Sequence, residues 1–318
     1  MIRSEGVRIK VPASTANLGP GFDTLGMALS LFAWIEMKPA ERTVFHLYGE
    51  ELRGIPKDKS NLVYKLAQQV FAEAGVSIPE LEISMASDIP LTRGLGSSAS
   101  AIVGALYAAN ELIGAPLSME KLFDMATAVE KHPDNVGASL FGGIVSAVWD
   151  GERAVHLRIE PPEKLQVLVA IPSFWLPTEQ ARKVLPESLS MKDVVFNVSR
   201  ASLLTGALAS GRLDLIAAAM QDRIHQPYRA SLIPGMEQIL AEACSHGALG
   251  AALSGAGPTL LALVERDSKR RNELEAFIQR TLGEHGIQAK MLWLEPCPEG
   301  AGRVGAHEAV PFTAGNLV

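Results

Sequence analysis

Hydrophobic and polar residues alternate in several short segments of the chain, and this alternation predicts strands. In the first segment, apolar residues at 7, 9 and 11 alternate with Arg8 and Lys10, which predicts a strand with one buried face. The pattern favours strands again over 28–47 and over 81–85. The first half of the chain therefore predicts a sheet built from several strands.

Three other segments carry apolar residues at helical spacing. They predict helices over 61–74, 97–111 and 118–131. Ser60 is expected to cap the first helix, and Ser118 is expected to open the third.

Two consecutive prolines, Pro161 and Pro162, mark the expected boundary between two domains. Just before them, Asp150 and Gly151 predict a hairpin turn between two strands. After them the elements follow the order β-α-β-β-α-β, which is that of a ferredoxin-like sheet. Its predicted segments are strand 165–171, helical stretches 178–220 and 234–245, strands 249–253 and 259–264, helix 268–282 and strand 287–294.

The sequence thus predicts an α+β protein with two domains. The first domain covers 1–161 and the second covers 162–300. The tail over 301–318 is rich in Gly, Ala and Pro, so we expect it to pack loosely.

The stretch GLGSSAS, from Gly94 to Ser100, combines two glycines with three serines at the start of a predicted helix. The first turn of a helix leaves backbone N–H groups without partners at the positive end of the helix dipole, and a phosphate group can bind there. One serine could also turn its oxygen toward a magnesium ion. We therefore interpret this stretch as a phosphate-binding loop.

Two other interpretations of GLGSSAS compete with this one. The glycines could simply turn the chain, with Ser97 or Ser98 as an ordinary N-cap. The pattern G-x-G-x-x-A also fits a nicotinamide dinucleotide site, but Pro90 interrupts the preceding strand and no second strand follows the helix. The common nucleotide loop G-x-x-x-x-G-K-S/T does not occur in the sequence.

Two further segments concentrate polar side chains. PASTANLGPGFDTLG, which follows the first strand, places Asn17 and Asp23 in an irregular loop that is either structural or substrate-binding. EKHPDN places Glu130, His132 and Asn135 at the end of a helix, before a nearly apolar run. A polar cluster in that position is typical of a cleft, although Asn135 could also serve as an N-cap.

Composition narrows the class of protein. The chain has 318 residues, of which 47% are hydrophobic, and a net charge of -6 without a long basic run, which argues against nucleic acid as a partner. Cys244 and Cys297 are far apart and indicate neither a disulfide framework nor a zinc site. The N-terminus lacks the pattern of a signal peptide, and no run approaches a membrane span. We therefore expect a cytoplasmic protein without a membrane partner.

Three motifs now stand in order: PASTANLGPGFDTLG, PLTRGLGSSASA and GAALSGAGPT. Together they resemble the three signatures of the GHMP kinase family, over nearly the whole chain. The segments NLGPGFD, HPDN and DRIHQPYR most resemble the homoserine kinase branch of that family. The resemblance implies the two-domain GHMP kinase fold, with an N-terminal ribosomal-protein-S5-domain-2-like lobe and a C-terminal ferredoxin-like lobe.

The resemblance also implies roles for individual residues. Asn135 and Asp23 would be catalytic, and Ser98 and Glu130 would hold Mg²⁺, with Asp124 as the other candidate carboxylate. ATP would be bound by Asn61, Pro90, Leu91, Arg93, Gly94, Leu95, Gly96, Ser97, Ser98, Ala99 and Ser100. The substrate would be bound by Asn17, Asp23, His132, Asn135, Thr178, Arg182 and Arg229.

By the same resemblance, the chain would transfer the γ-phosphoryl group of ATP to the side-chain hydroxyl of L-homoserine, a step of threonine biosynthesis, and would form a homodimer. A kinase for mevalonate or threonine remains an alternative, because several such acceptors carry a carboxylate. A nicotinamide-dependent oxidoreductase and a non-catalytic small-molecule sensor are further alternatives.

Overall fold

The structure is a computed structural model that describes residues 2–305, 308, 310–312 and 317–318. Its first half contains six strands and four helices, and they alternate much as the hydrophobic pattern predicts. They are β1 (Val7–Asn17), β2 (Gly21–Pro39), β3 (Val44–Tyr48), α1 (Leu62–Glu73), β4 (Leu81–Ser87), α2 (Ser97–Leu112), α3 (Met119–Glu130), α4 (Asp134–Phe141), β5 (Ile144–Trp149) and β6 (Ala154–Ile159).

The second half begins after Pro162. Its elements are β7 (Leu165–Pro172), α5 (Thr178–Lys183), α6 (Met191–Ser210), α7 (Ile216–Ala219), α8 (Gln226–Arg229), α9 (Met236–Glu242), β8 (Gly250–Leu253), β9 (Leu260–Glu265), α10 (Arg271–Glu284), β10 (Ala289–Leu294) and β11 (Gly302–Arg303).

The strands form two separate sheets. The first has the order β11-β1-β2-β4-β3, and β5 also pairs with the other end of β2 and carries β6. Pairing in this sheet is antiparallel except between β3 and β4. The second sheet has the order β10-β7-β9-β8 and is antiparallel throughout, which is the strand order of the ferredoxin-like fold predicted from the sequence. The α+β fold class is confirmed.

Three hydrophobic cores hold these layers together. The first lies between the first sheet and α1–α4, and the third lies between the second sheet and α9–α10. The second core joins the two lobes, because Leu25 and Met27 of β2 pack in the same cluster as Val167 and Val169 of β7. The two lobes therefore meet across buried apolar side chains, next to the turns that carry the polar motifs.

The segment predicted as an irregular loop, PASTANLGPGFDTLG, is mostly strand. β1 continues to Asn17, and β2 begins at Gly21 after a three-residue turn. Every residue from Val11 to Gly21 is buried, because this stretch lies between the helices of the first lobe and the second lobe. A strand covered on both faces does not alternate in polarity, so the pattern could not show it. The irregular positions are local: Asn17 and Leu18 at the turn and Asp23 in β2 have positive φ, and the register of β1 against β2 shifts after Pro12 and after Ala16.

Two local predictions were wrong. Asn61, not Ser60, caps α1, since its side-chain oxygen accepts the N–H of Val63 at 2.8 Å. Part of the tail is also fixed: β11 pairs with β1 and extends the first sheet. Residues 306, 307, 309 and 313–316 of the tail lie outside the described residues. None of the helices in the described part of the chain is long and apolar enough to span a membrane.

Candidate active site

The GLGSSAS stretch forms a turn that leads directly into α2. Gly94 and Gly96 both have positive φ, and Gly96 is the N-cap residue, with no side chain capping the helix. The first amide of the helix with a backbone acceptor is that of Ser100, whose N–H bonds to the carbonyl of Gly96 at 2.8 Å. The preceding amides, of Ser97, Ser98 and Ala99, have no such acceptor among the described residues. The ordinary capping interpretation is therefore wrong, and the helix presents free N–H groups.

A cavity of about 170 Å³ opens in front of this turn, and we call it the central cavity. It lies between the two lobes, and all three sequence motifs contribute to it. It is lined by Ala16, Asn17, Phe22, Asp23, Thr92, Gly94, Gly96, Ser97, Ser98, Glu130, His132, Asp134, Asn135, Leu176, Thr178, Arg182, Arg229, Gly255, Ala256 and Gly257.

Contacts between the motifs hold the walls of the central cavity in place. Asn17 accepts the N–H of Asp23 at 3.0 Å and donates to the carbonyl of Gly255 in the second lobe at 3.0 Å. On the first lobe, Ser14 donates to the side-chain oxygen of Asn135 at 3.0 Å. Both the amide nitrogen and the amide oxygen of Asn17 are thus hydrogen-bonded within the protein, and the side chain of Asn135 is oriented by a residue of β1.

Acidic and basic side chains share one wall of the cavity. His132 Nδ1 lies 2.6 Å from Asp134 Oδ1, and this same oxygen accepts the N–H of Asn135. Burial opposes the charged form of His132, but the hydrogen bond to Asp134 and the nearby charges of Asp134, Asp23 and Glu130 outweigh it and raise its pKa to about 9. His132 is therefore an imidazolium at neutral pH.

Glu130 ends α3 beside the turn that carries Gly94 and Gly96. Its Oε2 accepts a hydrogen bond from Ser98 Oγ at 2.9 Å. Burial raises the pKa of the Glu130 carboxyl, while the charge of His132 and the bond from Ser98 oppose the shift. A carboxylate and a hydroxyl at this distance are oxygen ligands of the kind that Mg²⁺ prefers, so the two residues fit such an ion.

Asp23 and Arg182 line the cavity from different lobes and are in direct contact. Arg182 binds both carboxylate oxygens of Asp23, at 2.7 and 3.0 Å. Arg182 belongs to α5, a helix at whose first position Thr178 also lines the cavity. The two residues therefore form a bidentate ion pair, the geometry in which a guanidinium also binds the carboxylate of a ligand.

Arg229 lies deeper and is only 1% exposed. Its Nε donates to the carbonyl of Ala181 at 3.0 Å, and its Nη1 donates to the carbonyl of Gly255 at 3.1 Å. Burial and the neighbouring charge of Arg182 lower its pKa to about 10, so it remains charged at neutral pH. The remaining nitrogen, Nη2, has no hydrogen-bond partner in the described part of the chain, although the residue lines the cavity.

An apolar pocket of about 350 Å³ adjoins the central cavity. Thr92, Ser97 and Ser98 line both spaces, so the turn that leads into α2 separates them. Trp34 and Asn61 line the far side of the apolar pocket. Both polar atoms of the Asn61 side chain are already hydrogen-bonded: its oxygen accepts the N–H of Val63, and its nitrogen donates to the carbonyl of Pro56.

Some predicted site residues lie outside both spaces. Pro90 and Arg93 line a separate cleft, where Arg93 donates to the carbonyl of Ser173 in the second lobe at 3.2 Å. Leu95 and Ala99 are fully buried behind the turn and line neither space. Asp124 accepts the N–H of Ala154 in β6 and is therefore a poor candidate for a metal ligand.

Sequence reasoning missed several residues of the site. Phe22 lies near both guanidinium groups: its ring centre is 5.5 Å from the guanidinium carbon of Arg182 and 5.4 Å from that of Arg229. Leu176 and Gly257 close the cavity from the second lobe. Phe22 sits inside the first motif, so its neighbours Asn17 and Asp23 were a signal; Leu176 is an ordinary hydrophobic residue in the sequence and carried none.

Comparison with known proteins identifies the family to which the chain belongs. Residues 61–143 match the family of GHMP kinases N terminal domain, and residues 204–283 match that of GHMP kinases C terminal. The chain is 42% identical to a homoserine kinase of Moorella thermoacetica over 92% of this chain and 98% of that protein. It is 43% identical to a homoserine kinase of Deinococcus radiodurans over 89% and 92% of the two chains. A crystal structure of homoserine kinase from Cytophaga hutchinsonii superposes with a TM-score of 0.85 at 25% identity, covering 96% of this chain and 98% of that one. The glycine turn, the two-lobed cavity and these likenesses agree, and the chain belongs to the GHMP kinase family, within its homoserine kinase branch.

Proposed function

We propose that this ATP-dependent kinase phosphorylates the side-chain hydroxyl of L-homoserine. The hydroxyl oxygen attacks the γ-phosphorus of ATP, the bond from that phosphorus to the oxygen bridging to the β-phosphate breaks, and ADP, O-phospho-L-homoserine and the proton of the hydroxyl are released. The observation that carries the proposal is the position of the phosphate-binding turn between two spaces, one apolar and one rich in charge. Such a turn can hold a triphosphate whose base and terminal phosphate lie on opposite sides.

In this arrangement the apolar pocket takes the adenine. Trp34, Asn61 and Leu91 line it, together with apolar side chains of β2 and β4. The free amides of Ser97 and Ser98 then face the phosphates. Because the protein carries a net charge of -6, the positive field for ATP has to come from such local groups.

The central cavity takes the amino acid. Asp23 carries a negative charge for the ammonium group or orients the hydroxyl, whereas Arg182 and Arg229 carry positive charges for the carboxylate. We assign His132 and Asn135, which line the same cavity, to the side of the hydroxyl. Phosphoryl transfer through a loose transition state needs positioning and charge stabilisation more than a strong base, and these residues supply both.

We place Mg²⁺ at Ser98 and Glu130. Asp23, His132 and Asp134 also bring one ligand atom each within 4.8 Å of one another. However, the proton on His132 and the guanidinium of Arg182 already balance these two carboxylates. When bound, the ion would neutralise charge on the phosphates, and Glu130 and Ser98 would hold it beside the turn.

An acceptor screen tests the proposal. L-homoserine, L-threonine and mevalonate are each incubated with enzyme and MgATP, ADP release is followed by a coupled assay, and the product is identified by ³¹P NMR. We expect kcat/KM to be highest with homoserine. Higher turnover with mevalonate or threonine would make the chain a sister kinase, and ligand binding without any transfer would favour the sensor alternative.

A thermal-shift measurement separates the remaining alternative. MgATP should raise the unfolding temperature, because a ligand that binds the folded state stabilises it. NAD should leave the temperature unchanged. Stabilisation by NAD without stabilisation by MgATP would favour an oxidoreductase and would contradict the proposal.

We also propose that the enzyme is a cytoplasmic homodimer. Helix α6 exposes a stripe of apolar side chains, with Met191 at 75%, Val195 at 59% and Val198 at 60% exposure. A contiguous apolar face of this kind is typical of an interface. Light scattering on the full chain should give the mass of a dimer, and Val195→Asp should shift it toward the mass of a monomer.

A further inference from the structure

The segment DRIHQPYR places a second buried polar residue, His225, one helical turn before Arg229. His225 is 0% exposed, and its ring stacks on Phe22 with 5.1 Å between the centroids. His225 does not line the central cavity. A buried histidine that is not in contact with the ligand space requires another explanation.

The hydrogen bonds of His225 fix its protonation state. Its Nε2 lies 2.7 Å from the carbonyl oxygen of Gly19, which can only accept, so Nε2 carries the proton. Its Nδ1 lies 3.2 Å from Nη1 of Arg229, which can only donate, so Nδ1 carries the lone pair. Both neighbours therefore require the same neutral tautomer.

The surrounding charges agree with a neutral ring. Burial lowers the pKa of His225, and so does the charge of Arg229, while Asp222, the carbonyl of Gly19 and Asp23 act in the opposite direction. The Asp222 carboxylate is itself occupied by the N–H groups of His225 and Gln226, at 3.0 and 2.7 Å. Protonation of Nδ1 would place an N–H against the N–H of the Arg229 guanidinium.

The position of His225 connects two parts of the site. Gly19 belongs to the turn between β1 and β2, two residues after Asn17, whereas Arg229 ends α8 in the second lobe. Two of the three nitrogens of Arg229 are held by Ala181, Gly255 and His225, which leaves Nη2 as the nitrogen without a partner among the described residues, and Arg229 lines the central cavity. The plane of the guanidinium, and with it the direction of Nη2, is set by these partners.

We propose that neutral His225 is a positioning residue for the acceptor: its Nδ1 lone pair aims Arg229 at the substrate carboxylate, and its Nε2–H ties Arg229 to the turn that carries Asn17. The inference rests on the proposed function, since it assigns the target of Arg229 as the carboxylate of the acceptor. It adds a residue that acts through Arg229 and does not touch the substrate.

The test compares two acceptors that differ in one group. L-homoserine carries the carboxylate, and 2-amino-1,4-butanediol carries a hydroxymethyl group in its place. For His225→Leu, which removes both hydrogen bonds, we expect KM for homoserine to rise about tenfold, the effect of one hydrogen bond to a charged group. The KM values for the diol and for ATP should change less than twofold.

Matched variants separate positioning from a loss of fold. His225→Gln keeps one donor and one acceptor, so it should restore most of the homoserine KM. His285→Leu, at an exposed histidine, should match the wild type. Equal rises in KM for homoserine and the diol, or no rise for either, would overturn the proposal, because a merely structural residue would not discriminate by the carboxylate.

A spectroscopic measurement does not depend on turnover. ¹⁵N NMR of His225, assigned by comparison with His225→Gln, should show a protonated Nε2 and an unprotonated Nδ1 at neutral pH. A doubly protonated ring, or the opposite tautomer, would overturn the proposal even if homoserine is the substrate. If the wild type fails to phosphorylate homoserine, the proposed function fails, and the KM comparison is then made with the carboxylate acceptor found in the screen.

Discussion

Replacing Gly94 by alanine tests whether the phosphate-binding turn has to touch the second lobe. Gly94 has φ +79°, and a Cβ built on it would lie 2.3 Å from the carbonyl oxygen of Ser254 and 3.0 Å from that of Gly257. Both neighbours are main chain of the third motif and cannot rotate away. Ser254 also donates from its hydroxyl to the carbonyl of Gly94, so the two turns are bonded where the new methyl group would be.

The structure offers a matched control in Gly211, which ends α6. Its φ is +68°, but nothing lies within 4 Å of the Cβ that alanine would add. Gly211→Ala should therefore lower the free energy of unfolding by about 1–2 kcal/mol, the strain of a left-handed alanine alone. Gly94→Ala introduces the same strain. In addition, its methyl group would push the turn at Gly94 and the turn at Ser254–Gly257 apart by roughly 1 Å, a displacement that can lower turnover about 100-fold.

The two variants are compared by urea unfolding and by the coupled ADP assay. We expect Gly211→Ala to retain wild-type kcat/KM despite its lower stability. Gly94→Ala should lose more stability than the control and about 100-fold in kcat/KM for ATP. If Gly94→Ala matched the control in both measurements, the contact between the second and third motifs would not matter for nucleotide binding, and our account of the turn would be wrong.

Three further predictions concern single side chains. Glu130→Gln should raise the Mg²⁺ concentration needed for half-maximal activity by about 10-fold or more. The control Asp124→Asn, on the same helix but outside the cavity, should leave this concentration unchanged. If Glu130→Gln also left it unchanged, Glu130 would not be a ligand of the ion. Asp23→Asn should lower both turnover and homoserine affinity, because it removes the charge that faces Arg182 and the acceptor, and an intact kcat and KM would refute its role. Burial lowers the pKa of His225 below the value of 6.5 that it has in the unfolded chain. As the pH falls below about 6.5, the unfolded chain therefore binds a proton that the folded chain does not. The free energy of unfolding then decreases by up to about 1.4 kcal/mol per pH unit. Urea unfolding at a mildly acidic and at a neutral pH should show that His225→Gln has a flatter dependence than the wild type, and parallel curves would contradict the lowered pKa.

The conformation of the turn at Gly94 and Gly96 and the helices could be predicted because their signals are local. Glycines at 94 and 96 indicate positive φ, and apolar spacing shows which face of α2 is buried. The order of elements after Pro162 likewise identified the ferredoxin-like sheet. Each of these inferences needs only residues that lie close together in the sequence.

The rest of the site depends on contacts between distant residues. Asp23 and Arg182 are 159 positions apart, and nothing near either one indicates that they form an ion pair. Trp34 lies in a strand whose pattern shows burial but not that the indole borders a pocket next to the serines of α2. The direction of Arg93, toward the second lobe, is also set by tertiary packing. The family resemblance supplied a set of residues, and only the fold separates those that face a ligand from those that support them.

The three motifs meet at one place, and this meeting explains how the site can work without a strong base. The third motif bonds to the first through the N–H of Gly255 and the carbonyl of Ala16, at 3.2 Å, and to the second through Ser254. The residues that we propose for nucleotide and acceptor binding are therefore parts of one hydrogen-bonded framework, and the fold sets their relative position. Because a loose phosphoryl transfer is accelerated mainly by alignment and by fixed positive charge, such a framework with protonated His132 beside the turn can supply most of what the reaction needs. It follows that substitutions which loosen the junction of the motifs should lower turnover more than substitutions which remove a single proton acceptor.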